Sequence, residues 1–178
     1  MTPGDHELVA ALRAREIAAY QLVYERLGAG LLRVALRILG NRADAEDAVQ
    51  DAFLILYRRI DAFRGRSSLR TWMHRVLVNV ALKQLVKRTA DRATNADSVR
   101  PRWSPPAPSD LDDRSMIAAE VEALPLRRKL VFVLAEVEGL SHAEIARVLG
   151  LQESTVRYHL CRAKARLRER LRTRIKSG

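Results

Sequence analysis

Four carboxylates, Asp44, Glu46, Asp47 and Asp51, fall within eight consecutive positions that hold no base. Acids this close can share a metal ion, divide acid and base roles, or present a negative surface to a partner. Ala45, Ala48, Val49, Ala52, Phe53, Leu56 and Ile60 recur by threes and fours through the same stretch. That period buries one helix face and leaves Glu46, Asp47, Gln50 and Asp51 largely outside. Acids in the first turn also complement the helix dipole. A solvated acidic face of this kind is an interaction surface rather than a metal or acid/base site.

Downstream the sign reverses. Arg64 to Arg88 holds seven bases and no acid, and residues 152–178 hold nine bases against two acids. Each run contributes +7 to a net charge of +11, so the rest of the chain is net acidic. Cations gathered into two runs fit the footprint of a phosphate backbone, whereas a merely solubilised surface spreads them. The partner they call for is nucleic acid.

The second run carries a recognisable device. Ser141 followed three residues on by Glu144 has the form of a capping box, and Gly150 ends the short helix it opens. A longer helix follows from about Glu153, which makes a helix-turn-helix. Val156, Leu160, Ala163 and Leu167 give that helix a narrow apolar stripe; Ser154, Tyr158, Cys161 and Arg162 face away from it, with Arg157 at the margin. This outward face can enter a major groove. Lys164, Arg166, Arg168 and Arg170, further on, are placed for the DNA backbone or for solvent.

No catalytic constellation accompanies these surfaces. His6, His74, His142 and His159 are scattered, and neither a phosphate-binding glycine loop nor a nucleophile motif occurs. We expect no enzyme activity, no cofactor and no bound metal. The lone cysteine, Cys161, excludes an internal disulfide and suits a reducing cytoplasm; on the outward helix face it is a van der Waals neighbour for a base edge. No long apolar run or leader pattern appears, so we expect neither membrane insertion nor secretion.

The elements that hold these surfaces are helices, because Leu, Ala, Arg and Glu abound and aromatics are only 5%. Residues 5–27 read as a helix, with Ile17, Tyr20, Gln21 and Tyr24 at helical spacing, and Gly28 and Gly30 as punctuation before a short helix from Leu31 to Leu39. The acidic helix opens near Ala43 or Asp44. Phe63 to Ser68 is a loop, with Ser67 or Ser68 capping a basic helix that runs to about Lys87. Leu69, Trp72, Met73, Val76, Val80 and Leu85 are its inward candidates. Pro101, Pro105, Pro106 and Pro108 then crowd a stretch without apolar periodicity, which reads as an extended linker. The expected architecture is all-α: a helical domain at 1–90, a linker at 91–115, and a helix-turn-helix domain at 116–178.

Taken in order, Gly40-Asn41-Arg42-Ala43-Asp44-Ala45-Glu46-Asp47-Ala48-Val49-Gln50-Asp51-Ala52-Phe53, Phe63-Arg64-Gly65, Ser68-Leu69-Arg70-Thr71-Trp72, Leu124-Pro125, Glu138-Gly139-Leu140-Ser141, Glu144-Ile145-Ala146, Thr155-Val156-Arg157 and Arg162-Ala163-Lys164 resemble the sigma-70 family. The likeness is to the short extracytoplasmic-function (ECF) type of bacterial RNA polymerase sigma factor, and it spans nearly the whole chain. It implies that Asp44, Glu46, Asp47, Gln50 and Asp51 grip the clamp helices of the largest subunit of core RNA polymerase. It implies that Phe63, Arg64, Gly65, Arg66, Ser67, Ser68, Arg70 and Thr71 capture a flipped base of the single-stranded −10 element, with Arg75 and Asn79 at its upstream edge. Ser154, Arg157, Tyr158, Cys161 and Arg162 fall in the part that reads duplex −35 DNA. The linker would thread toward the active-site and RNA-exit channels of the polymerase, and an anti-sigma factor is a further expected partner. The rival expectation is a stand-alone helix-turn-helix regulator that binds duplex DNA without core polymerase.

Overall fold

The computed structural model describes residues 3–94 and 113–175. These form two compact units, one N-terminal and one C-terminal, and every regular element in them is helical. The linker expectation falls mostly on residues 95–112, outside those described. No helix among the described residues is long and apolar enough to cross a membrane.

The N-terminal unit holds α1 (Pro3–Arg13), α2 (Ile17–Leu39), α3 (Arg42–Arg59), a 3-10 turn (Ile60–Ala62) and α4 (Leu69–Thr94). Helices α2, α3 and α4 pack on one another, and α1 lies against α2 and the 3-10 turn. Leu12, Leu31, Val34, Leu56, Ile60, Met73 and Leu77 fill the shared core, each contributing roughly 1.5–3 kcal/mol by leaving water.

Two glycines expected to interrupt α2 do not. Gly28 and Gly30 are buried inside one continuous helix. Glycine costs about 0.5–1 kcal/mol in such a position, and the burial of Leu31, Val34, Ala35 and Ile38 just beyond outweighs it. The chain turns earlier, between α1 and α2, where Arg15 adopts φ 63°. Arg15 N–H donates to the Leu12 carbonyl at 3.1 Å and Glu16 N–H to the Ala11 carbonyl at 3.1 Å. This is the paired bonding of a left-handed helix end, built here on arginine where glycine is usual.

Asn41 starts α3 by accepting the Asp44 N–H at 2.8 Å. Helix α4 outlasts its expected end at Lys87 and reaches Thr94. Its inward face is also rotated from expectation: Leu69 and Met73 are buried, but Leu77, Val78 and Ala81 join them, while Trp72, Val76, Val80 and Leu85 are half-buried. Contact with two helices at once widens the buried arc of α4 beyond a single stripe.

The C-terminal part of the chain holds α5 (Asp113–Glu122), α6 (Leu126–Phe132), α7 (His142–Leu149) and α8 (Glu153–Ile175). Helices α5 and α6 pack on α8. Past Phe132 the chain widens into a π-helical turn, Val133–Val137, that closes at Gly139 with φ 64°.

Candidate functional site

Helix α3 shows its acids to solvent unevenly. Glu46, Asp47, Gln50 and Asp51 are exposed, whereas Asp44 is half-buried. Arg88 of α4 pairs with Asp44, and Asn41 Nδ2 donates to the same carboxylate at 2.6 Å. Glu46 pairs with Arg42 at 2.7 Å, and Gln84 donates to Asp51 at 3.3 Å. Asp44 thus ties helices together as well as carrying charge.

Beside these acids runs an apolar groove of about 990 Å³, walled by Ile17, Tyr20 and Tyr24 of α2 and by Phe53, Leu54 and Tyr57 of α3. Ile17 is 75% exposed, Tyr24 60%, Tyr57 51% and Leu54 48%. The spacing of Ile17, Tyr20, Gln21 and Tyr24 marked this stripe correctly as helical; the structure turns it outward, because Ala19 and Val23 already fill the inner face of α2. Large apolar side chains gathered at the surface beside charges mark a protein-binding patch.

The basic loop lies between two fixed points. Upstream, Phe63 is 3% exposed and meets Trp72 edge-on at 5.8 Å between ring centres. Downstream, Ser68 Oγ accepts the Thr71 N–H at 3.1 Å, which settles the cap of α4 on Ser68. Gly65 takes φ 66°. Arg64, Arg66, Arg70, Arg75 and Asn79 are exposed, and Gly65, Ser67 and Ser68 are half-buried. Thr71 is 1% exposed. Phe63 and Thr71 are therefore the inner support of the loop, and the side chains that reach outward are the arginines around them. Trp72 divides its surface between core and solvent.

On the C-terminal unit the capping box forms: Glu144 Oε2 accepts the Ser141 N–H at 2.9 Å, and Ser141 Oγ accepts the Glu144 N–H at 3.3 Å. Val156, Leu160, Ala163 and Leu167 are buried, and Ser154, Arg157, Tyr158, Cys161 and Arg162 are all exposed. The Arg162 guanidinium lies 5.5 Å from the centre of the Tyr158 ring, and its Nε donates to the Tyr158 hydroxyl at 3.3 Å. That donation lowers the Tyr158 pKa and raises that of Arg162.

Sequence spacing missed Arg128. It stands on α6, outside the helix-turn-helix, yet shares a groove of about 630 Å³ with Arg162, Arg166 and Arg170. Two cations placed by sequence for the backbone or solvent also meet acids: Lys164 pairs with Glu136 at 2.8 Å, and Arg170 lies 3.8 Å from the buried Glu120.

Known proteins give this geometry a family. Residues 23–90 match the family model of Sigma-70 region 2, and residues 114–167 match that of Sigma-70, region 4. The ECF RNA polymerase sigma factor SigM of Mycobacterium tuberculosis is 31% identical over 92% of this chain and 83% of its own length. The ECF RNA polymerase sigma-E factor of Escherichia coli is 30% identical over 90% of each chain. Among solved structures, the sigma factor RpoE in complex with the anti-sigma factor NepR from Bartonella quintana superposes with a TM-score of 0.72 at 24% identity, over 85% of this chain and 95% of that one. CnrH in complex with the cytosolic domain of CnrY gives 0.71 at 25%, over 95% and 97%.

A region 2 helical unit followed by a region 4 helix-turn-helix defines an initiation subunit of bacterial RNA polymerase. The chain belongs to the sigma-70 family, as an ECF sigma factor. It binds core RNA polymerase and directs promoter-specific initiation without being an enzyme. Nothing in these relatives favours a stand-alone regulator.

Proposed function

We propose how the surfaces divide this work. The N-terminal helices, through α4, grip core polymerase and open the −10 element, the chain between α4 and α5 is the linker, and the helices from α5 onward form the −35 reader. Asp44, Glu46, Asp47, Gln50 and Asp51 bind the clamp helices of the largest subunit, with the apolar groove of Tyr24, Leu54 and Tyr57 as the neighbouring floor. The observation that carries this is the grouping of surface types: exposed acids of α3 border exposed apolar side chains, whereas Arg64, Arg66, Arg70, Arg75, Lys83 and Lys87 are exposed along a loop and helix that hold no acid from Arg64 to Arg88. Charge fixes orientation and encounter at such a surface, and apolar burial supplies affinity.

Arg64, Arg66, Arg70 and Arg75, with Asn79, hold the opened −10 strand, and the loop over Phe63 and Thr71 receives an unstacked base. Ser154, Arg157, Tyr158, Cys161 and Arg162 read the −35 duplex from the major groove, with Arg128 and Arg166 adding phosphate contacts. The protein works in the bacterial cytoplasm, where an anti-sigma factor restrains it. The RpoE and CnrH structures, each in complex with a partner protein, support that restraint.

Run-off transcription with purified core polymerase tests the proposal. Promoter-specific transcripts that need both this chain and core are expected, and that Arg64→Ala with Arg66→Ala suppress on duplex templates. Specific binding of duplex DNA by the free chain, with no core-dependent transcript, overturns it.

A further inference from the structure

The loop from Phe63 to Ser68 is tied to a part of the chain that the family match does not include. Arg13, at the end of α1, donates from Nη2 to the Phe63 carbonyl at 2.7 Å. Two residues on, Arg15 donates to the Tyr57 carbonyl, pairs with Asp61 at 2.9 Å, and lies 4.8 Å from the centre of the Tyr57 ring. Its Nη1 also reaches the Tyr20 hydroxyl at 3.3 Å. Both arginines precede residue 23, where the region 2 match begins.

Arg15 does this from a left-handed backbone, φ 63°, that a non-glycine residue holds only where its surroundings over-determine it. Arg13, at the end of α1, and Arg15, at the left-handed step that follows, reach one stretch of chain, residues 57 to 63. That stretch is the lead-in to the loop: Ile60 is fully buried, Phe63 N–H donates to the Ile60 carbonyl at 3.0 Å, and the Phe63 ring is packed on Trp72. Ser68 fixes the far end through Thr71. Residues 64 to 67 are left as a short span between two anchors, and the upstream anchor depends on α1.

We propose that Arg13 and Arg15 are positioning residues for promoter opening: they hold the upstream end of the loop that receives the −10 base, without touching DNA. A loop fixed beforehand spends less of its binding energy on ordering itself around a flipped nucleotide. The inference rests on the assignment of the 63–71 loop to −10 capture.

The test uses the full chain assembled with core polymerase, on a promoter duplex enriched from a random-sequence library by the wild-type holoenzyme and carrying 2-aminopurine in its −10 region. Arg13→Ala and Arg15→Ala should each slow strand opening about tenfold, the scale of losing one charge-assisted bond. Core affinity and helix content of Arg13→Ala should stay at the wild-type level, and Arg13→Lys, which can still donate to the Phe63 carbonyl, should restore most of the rate. Arg13→Ala keeps the comparison sound if Arg15→Ala loosens the α1–α2 joint, because Arg13 is exposed and outside the left-handed turn.

Normal opening by Arg13→Ala and Arg15→Ala, where Arg64→Ala with Arg66→Ala abolishes it, overturns the positioning role and leaves the loop assignment standing. Normal opening by all of these variants overturns both. Slow opening that Arg13→Lys does not rescue, together with an equal loss of core affinity, reduces the two arginines to general stability and overturns the proposal.

Discussion

Arg88, near the end of the basic helix, donates to the carboxylate of Asp44 in the first turn of the acidic helix, and the same guanidinium nitrogen reaches the Leu39 carbonyl at 3.3 Å. The helix proposed to face opened DNA and the helix proposed to face polymerase are braced by one ion pair. A change on either partner of the pair is felt by both surfaces.

The pair is 26% exposed on Arg88 and 35% on Asp44, between the surface regime and the buried one. Asp44→Ala or Arg88→Ala should therefore cost about 1 kcal/mol in urea unfolding. Asp47→Ala, fully on the surface, should stay within about 0.5 kcal/mol of wild type. Equal stabilities for Asp44→Ala and Asp47→Ala remove the brace.

The Tyr158–Arg162 contact predicts a spectroscopic shift. Because the Arg162 guanidinium lowers the Tyr158 pKa, Arg162→Ala should move the phenolate absorbance of Tyr158 to higher pH, with Tyr158→Phe as the assignment control. The same Arg162→Ala should weaken −35 duplex binding by about 1–3 kcal/mol if it reads a base. Unchanged affinity and sequence preference in a shift assay contradict its place on the reading face.

Two glycines should respond with opposite signs. At Gly28 an added Cβ meets the Tyr24 ring at 3.5 Å, an ordinary contact inside a helix. Gly28→Ala should stabilise the N-terminal unit by about 0.5–1 kcal/mol. Gly150 sits at φ 64° with nothing near its Cβ, so Gly150→Ala should cost about 1 kcal/mol from backbone strain alone. Thermal unfolding of the two variants distinguishes these cases.

How much of this was legible in the sequence follows from which forces are local. The recognition-helix face was readable because one helix packing on one side obeys a simple period: Val156, Leu160, Ala163 and Leu167 went in, and Ser154, Arg157, Tyr158, Cys161 and Arg162 stayed out. The capping box at Ser141 and Glu144 was readable for the same reason. What escaped depended on tertiary neighbours. Leu77, Val78 and Ala81 are inward only because α4 packs on α2 and α3 together. The Asp44–Arg88 brace spans 44 residues of sequence, and Arg128 enters the basic groove from another helix. No local pattern announces a left-handed arginine, so the Arg13 and Arg15 contacts were invisible as well.

The apolar groove carries its own prediction. Leu54→Ser removes an exposed side chain and should leave stability nearly unchanged, while core affinity falls about fivefold or more if the groove floor is buried by the partner. Wild-type affinity in Leu54→Ser and Tyr57→Ser excludes the groove from the interface.

The central claim, that separate faces of the N-terminal unit serve polymerase and DNA, is tested most directly by the core-polymerase affinity of two double variants. Asp47→Ala with Asp51→Ala should weaken binding to core about tenfold or more, and Arg64→Ala with Arg66→Ala should remain within about twofold of wild type. Wild-type affinity in the acidic double, or an equal loss in the basic one, contradicts the division of surfaces.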